Sequence, residues 1–251
     1  MKIYLQSRGL EKDYNWITQQ ENNSQEIYVS TPNIIRTATD LIYAQDFSIV
    51  LLRFHQELLL LVTGLVTQRQ DVYNRKINNS IAWIGKNEDE FLLRSIAAIA
   101  LENKLERIID QAVTSSNTLV GFNVNWNIIE NEIQQLIPET SKNEIFPSGQ
   151  YQRKIALLSQ ARKQELAEEL TKYCLPTQEG ALVIVTSIKS KEALEESVVW
   201  KGLSNDTRIS ENWQLISQDI NNSSNQNNTT CCEFIQNIQN IQNIIQQLLD
   251  K

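Results

Sequence analysis

Five polar residues, Arg69, Asp71, Arg75, Asn78 and Asn79, crowd one short stretch between apolar runs. Two guanidiniums and a carboxylate in one loop can form bidentate bonds with each other, or with a partner's phosphate or carboxylate. The first arrangement pins a long loop to a sheet. The second makes a recognition surface in which Arg69, Asp71, Arg75 and Asn79 bind a partner. No nucleophile or general base in a distinctive setting accompanies them, so the stretch carries no catalytic residue. A weaker candidate follows the apolar run ALVIVT, in the segment SIKSK at 187–191. The carboxyl end of a strand in an α/β unit is where anions bind, and Lys189 and Lys191 would supply the charge. No glycine-rich phosphate cradle stands beside them.

The remaining chemistry is thin. There is no HExxH, no Cys/His ligand set and no GxSxG, so the sequence asks for no metal and no cofactor, and an enzyme is the less favoured reading. Glu168-Glu169 and Glu195-Glu196 read as solvated helix faces, and the single histidine, His55, as a surface residue in a turn.

The elements that must position these residues centre on 46–85. Apolar runs at 47–54 and 58–65 are joined by His55-Gln56-Glu57, and a third run occupies 81–84. Runs apolar on both faces suit strands buried on both sides. The stretch therefore reads as a hairpin, a charged loop and a third strand. The β-prone runs KIYLQ (2–6) and EIYVS (26–30) lie before it as edge material. Thr31 as N-cap and Pro32 at the first helical position would open a helix over 33–43.

Beyond the hairpin, 90–113 keeps a helical apolar period behind Asn87 or Asp89 as N-cap. A strand at 119–124 and a helix at 126–137 come next. Residues 139–149 read as an internal boundary, and 151–174 as a second long helix. The strand 181–186 precedes a helix capped by Ser190, which makes one strand–turn–helix unit. Residues 219–230 are a polar linker. Residues 231–251 form an amphipathic helix that docks on the protein's own body or on a second copy of the chain. The expectation is an α+β protein: a mixed β-sheet built on a central hairpin and covered by long α-helices. Its units are 1–138 and 150–218, the second either separate or part of the same domain.

The whole chain has 251 residues, 41% of them hydrophobic and 21% charged, enough for a substantial core. A net charge of −7 argues against nucleic acid and against an anionic membrane surface as partners. The N-terminal residues show no secretion signal, and no apolar run approaches the roughly 18 residues of a spanning helix. Three cysteines without a CxxC pair read as reduced thiols, which suits a cytoplasmic protein.

Three stretches together resemble a known group. They are TGLVTQRQDVYNRKINNSIAWIG, the segment YLQSRG followed by Asp13, Tyr14 and Trp16, and VIVTSIKSKEALEESVVWKGLS. They are similar to uncharacterised bacterial helper or adaptor proteins encoded beside nucleotide-switch ATPases or GTPases in signalling and conflict systems. An R-x-D-x-x-x-R-x-I-x-N run matches at Arg69, Asp71, Arg75, Ile77 and Asn79. A W-[RK]-G-L-S run matches at Trp200, Lys201, Gly202, Leu203 and Ser204. The similarity spans 1–204 in patches and leaves out the Asn-rich tail. It implies a non-catalytic adaptor with a protein partner such as a switch ATPase or GTPase. The alternative is a nucleotide-sensing or nucleotide-processing α/β domain using the strand that ends at Thr186. That domain should unite Lys189 or Lys191 with Arg69 or Arg75 in one pocket.

Overall fold

The computed structural model describes residues 1–19, 27–28, 30–137 and 151–216. The expected boundary at 139–149, the linker at 219–230 and the amphipathic helix at 231–251 lie outside the described residues. The molecule is an α+β protein, and its described residues form one mixed sheet of ten strands and a separate two-stranded hairpin.

In chain order the first strands are β1 (Lys2–Ser7), β2 (Asn15–Thr18) and β3 (Ile27–Tyr28). Helix α1 (Asn33–Thr39) precedes β4 (Ser48–Phe54), β5 (Glu57–Gln70) and β6 (Lys76–Lys86). β4 and β5 pair antiparallel with Leu51 opposite Leu60, and β6 continues on β5 with Trp83 opposite Leu60. β1 pairs with β6, and β2 and β3 extend that edge, so β2 joins the two strands expected before the hairpin. The charged segment is also less of a loop than its composition suggests. Only 71–75 lie outside strands, while Arg69 belongs to β5 and Asn78 and Asn79 to β6. Polar residues are tolerated there because their side chains find hydrogen-bond partners, Arg69 donating to Asn79 Oδ1 and Asn78 Nδ2 to the Gln45 carbonyl.

The helices of the next segment are α2 (Glu90–Leu101), α3 (Leu105–Ala112) and α4 (Trp126–Leu136), with β7 (Val113–Ser115) and β8 (Phe122–Val124) forming the small hairpin. The expected helix at 90–113 is thus two helices. Asn103 takes a left-handed conformation, φ 60°, which an asparagine tolerates and which ends the first helix. The expected helix at 151–174 is instead β9 (Lys154–Leu157) followed by α5 (Gln160–Lys172). Ser159 marks the change, its hydroxyl accepting the Arg162 N–H at 3.2 Å. Strand β10 (Gly180–Val185) pairs antiparallel with β4. It leads through α6 (Lys191–Glu196) to β11 (Lys201–Ser204), which pairs parallel with β10. β9 and then β12 (Gln214–Leu215) complete the sheet. Ser190 caps α6 as expected, accepting the Ala193 N–H at 3.1 Å. At α1 the cap position is Pro32, not Thr31, and no side chain caps it. The expectation of reduced thiols rests on Cys231 and Cys232 as well as Cys174, and the first two lie outside the described residues.

Both faces of the sheet are covered. Leu51, Leu58, Leu60 and Trp83 pack with Leu93, Ala97 and Ile108 of α2 and α3 and Leu166 of α5. Val50, Leu52, Leu59 and Leu61 pack with Ile35 and Ala38 of α1 and Leu194 of α6 on the other face. That double burial is why β4 and β5 lack alternation. Among the described residues no helix is long and apolar enough to cross a membrane.

Candidate functional site

β5 bends at Gly64, φ 67°, where an added Cβ would come within 2.1 Å of the Asp46 carbonyl carbon. Beyond this bulge β5 overhangs the start of β4, whose Ser48 pairs with Thr63. The exposed edge needs acceptors for its N–H groups, and α3 supplies them. Glu106 accepts from Val66 N–H at 3.3 Å and Asp110 from Gln68 N–H at 2.9 Å.

At the end of the overhang the chain turns through 71–75, with Asn74 at φ 59°. The Asp71 carboxylate organises the turn, accepting the N–H groups of Tyr73 at 2.8 Å and Arg75 at 3.0 Å. It also accepts Arg75 Nε at 2.7 Å and lies 3.5 Å from Arg8 Nη2. Burial works against its charge, but the bonds from Arg75 and Tyr73 outweigh it and hold the carboxyl below the usual range. Arg69 turns to the other side. Its Nη2 donates to Ser7 Oγ at 2.5 Å and Asn79 Oδ1 at 3.0 Å, and its Nη1 to the Arg8 carbonyl at 3.2 Å. Burial lowers the Arg69 pKa, with Asp110 and Tyr14 opposing.

The fold therefore brings the predicted residues Arg69, Asp71, Arg75 and Asn79 together. It adds Ser7, Arg8 and Tyr14, which came from the sequence only as unassigned motif residues. Tyr14 Oη accepts Asn78 N–H at 3.2 Å, and the Arg8 guanidinium lies 5.6 Å from the Tyr14 ring centre. The loop after β1 is held against the β7–β8 hairpin at Gly9, where a Cβ would meet Gly121 Cα at 2.7 Å. Asp71 and Asn79 are buried, whereas the Arg75 side chain is 64% exposed and lies 5.2 Å from the Tyr73 ring centre. Around it Leu10, Tyr14, Val72 and Tyr73 are exposed, Tyr73 to 74%.

Lys189 and Lys191 lie elsewhere. The loop 40–47 crosses the carboxyl end of β10, with Tyr43 N–H donating to Thr186 Oγ1 at 3.2 Å and Ser187 Oγ to Asp46 at 2.6 Å. Lys189 Nζ donates to the Asp40 carbonyl at 2.8 Å, and Lys191 N–H to Asp206 at 2.8 Å. The Arg208 guanidinium holds the Asp206 carboxyl far below its ordinary range. A carboxylate therefore occupies the place an anion would take at α6.

Two buried ionic groups had no role assigned from the sequence. Arg53 on β4 donates to Glu90 Oε2 at 3.1 Å and to the Pro176 carbonyl at 3.3 Å. Glu90 Oε1 also accepts Leu175 N–H at 2.7 Å and lies 3.5 Å from Arg94 Nε. Arg94 Nη1 reaches the carbonyls of Leu170 and Tyr173 at 2.6 and 2.5 Å. A charge inside the apolar run 47–54 was the only signal. The second group is Lys201 of the WKGLS run, whose side chain is 2% exposed. Its Nζ lies 2.6 Å from Glu169 Oε2, and 5.2 and 5.0 Å from the Trp200 and Trp213 ring centres. Burial lowers its pKa, with Glu169 opposing.

Among the described residues no group of three or more His, Cys, Asp or Glu could hold a metal ion. No protein-family model, curated protein or solved structure matches the chain.

Proposed function

We propose that the protein is a non-catalytic adaptor whose partner docks on the tip formed by 8–14 and 71–75. The supporting observation is the contrast across the Asp71 network. Its buried side fixes the turn, while its outer side presents Tyr73, Val72, Leu10, Tyr14 and Arg75 to solvent. Exposed aromatics beside an arginine on a preformed surface have the composition of interface hot spots. In this reading Arg75 contacts the partner, and Arg69, Asp71 and Asn79 hold the surface in shape. The resemblance to helper proteins makes a nucleotide-switch ATPase or GTPase in the cytoplasm the partner to test. Nucleotide sensing at the carboxyl end of β10 has less support, because the Asp206 carboxylate accepts the Lys191 backbone N–H where an anion would sit and the Lys189 ammonium donates to the Asp40 carbonyl.

A photo-crosslinking amino acid at position 73 tests the proposal in cells. It should trap a partner that the same residue at Phe54, 51% exposed at the opposite end of the hairpin, does not. Equal crosslinking at both positions, or none at 73, would overturn it.

A further inference from the structure

Arg69 carries an unbalanced charge at the buried base of the tip. Its acceptors are all neutral: Ser7 Oγ, Asn79 Oδ1 and the Arg8 carbonyl. Among the described residues no carboxylate stands within ion-pair distance of it. Asp71 instead pairs with Arg75 at 2.7 Å and with Arg8 at 3.5 Å. Asp110 attracts Arg69 only from farther off, its Oδ1 accepting the Gln68 N–H. Three guanidiniums thus share two carboxylates. Of the three only Arg75 is largely in water, the Arg8 side chain being 19% exposed and Arg69 partly buried. A cation taken out of water without a counter-charge is costly, and folded proteins pair such groups.

The hydrogen bonds repeat the imbalance. Arg69 Nε, Asn79 Nδ2 and Arg8 Nε are buried and have no acceptor among the described residues. All three are donors. Asn79 is 1% exposed, so its amide cannot turn to bulk water instead. Two of these donors belong to groups already in contact. Arg69 Nε shares a carbon with Nη2, Asn79 Nδ2 shares one with Oδ1, and Nη2 and Oδ1 lie 3.0 Å apart. Buried N–H groups are nearly always satisfied, so a surplus of donors on one cationic cluster points to an acceptor that the chain does not itself supply.

From these two surpluses, of positive charge and of donors, we infer that the base of the tip binds a small inorganic anion of halide size beside Arg69 Nε and Asn79 Nδ2. A water molecule would answer a donor and leave the charge. A phosphate would bring further oxygens, each needing its own donors and room. A chloride asks only for N–H groups and positive potential, and both are present. The bound ion would stiffen the guanidinium that already ties the end of β1, through Ser7 and Arg8, to β6, through Asn79. The inference stands apart from the adaptor reading, since the ion holds the base of the tip whether or not a partner docks above it.

Thermal melts of the full chain test it, in sodium gluconate into which chloride is exchanged at constant ionic strength, from about 1 to 100 mM. The midpoint should climb with the logarithm of chloride once the site begins to fill, as binding to the folded state alone requires. Bromide should act as chloride does, and gluconate is too bulky to enter. Asn79→Asp sets a fixed carboxylate beside Arg69. It should lose the chloride response, and in gluconate alone it should melt above the parent. Crystals of the parent soaked in bromide need no variant, and should show an anomalous peak beside Arg69 Nε and Asn79 Nδ2. A parent midpoint indifferent to chloride would overturn the inference. So would a chloride response that Asn79→Asp keeps, or bromide peaks found only elsewhere on the molecule.

Discussion

Glu90 stands between two guanidiniums, with Arg53 and Arg94 reaching it from β4 and from its own helix. Removing it would leave those cations buried and without their carboxylate. Breaking such a buried group costs about 3–5 kcal/mol, whereas replacing a whole group with apolar residues is often neutral. Glu90→Ala should therefore lower the denaturation midpoint sharply, and a midpoint within error of the parent would show the network to be dispensable. Lys201 offers a test with a pH signature. Its folded pKa lies below the ordinary 10.5, so between the two values the folded state binds fewer protons than the unfolded one. Stability from this group therefore rises with pH across that interval. Glu169→Ala should deepen the depression, destabilising the protein most at neutral pH and less as pH approaches 10.5. Lys201→Met should remove that pH dependence. Thermal melts of both variants from pH 7 to 10 check the sign. At this scale the sequence showed the Arg69–Asn79 group because its members are near neighbours. It hid Arg53–Glu90–Arg94, whose members meet only after β4 and α2 have packed.

Leu60 shows what the hairpin does as an element. It is fully buried on the middle strand, between Leu51 and Trp83. Leu60→Ala should leave a cavity that α2 and α3 cannot collapse into, costing about 2–5 kcal/mol, as read from urea unfolding. An unchanged midpoint would mean that the strand pairs without packing. This hairpin was legible because two apolar runs flank one polar break. Strand β9 was not: it has four residues, and Ile155 and Leu158 sit at a spacing a helix also allows. The division between α2 and α3 was hidden too, because one left-handed residue at Asn103 barely disturbs the apolar period around it.

At the scale of the whole molecule, the antiparallel strands near the N-terminus and the parallel strands β9, β10 and β11 belong to one sheet. The seam between them is the pairing of β4 with β10. That seam has a consequence for how the chain is made. β4 ends at Phe54, and β10 begins at Gly180, 126 positions later. At 5–20 residues per second, β4 waits roughly 6–25 s on the ribosome with one backbone edge unfilled. Its residues, SIVLLRF, are apolar on both faces, which makes a waiting edge adhesive. A chain ended at residue 150 should therefore self-associate in sedimentation, and a synthetic peptide covering 178–187 should restore its monomer by filling the gap. A truncated chain that stays monomeric unaided would mean that something else shields the edge during synthesis. The same arithmetic makes newly made protein, not the finished molecule, the stage at which chaperones matter most to it.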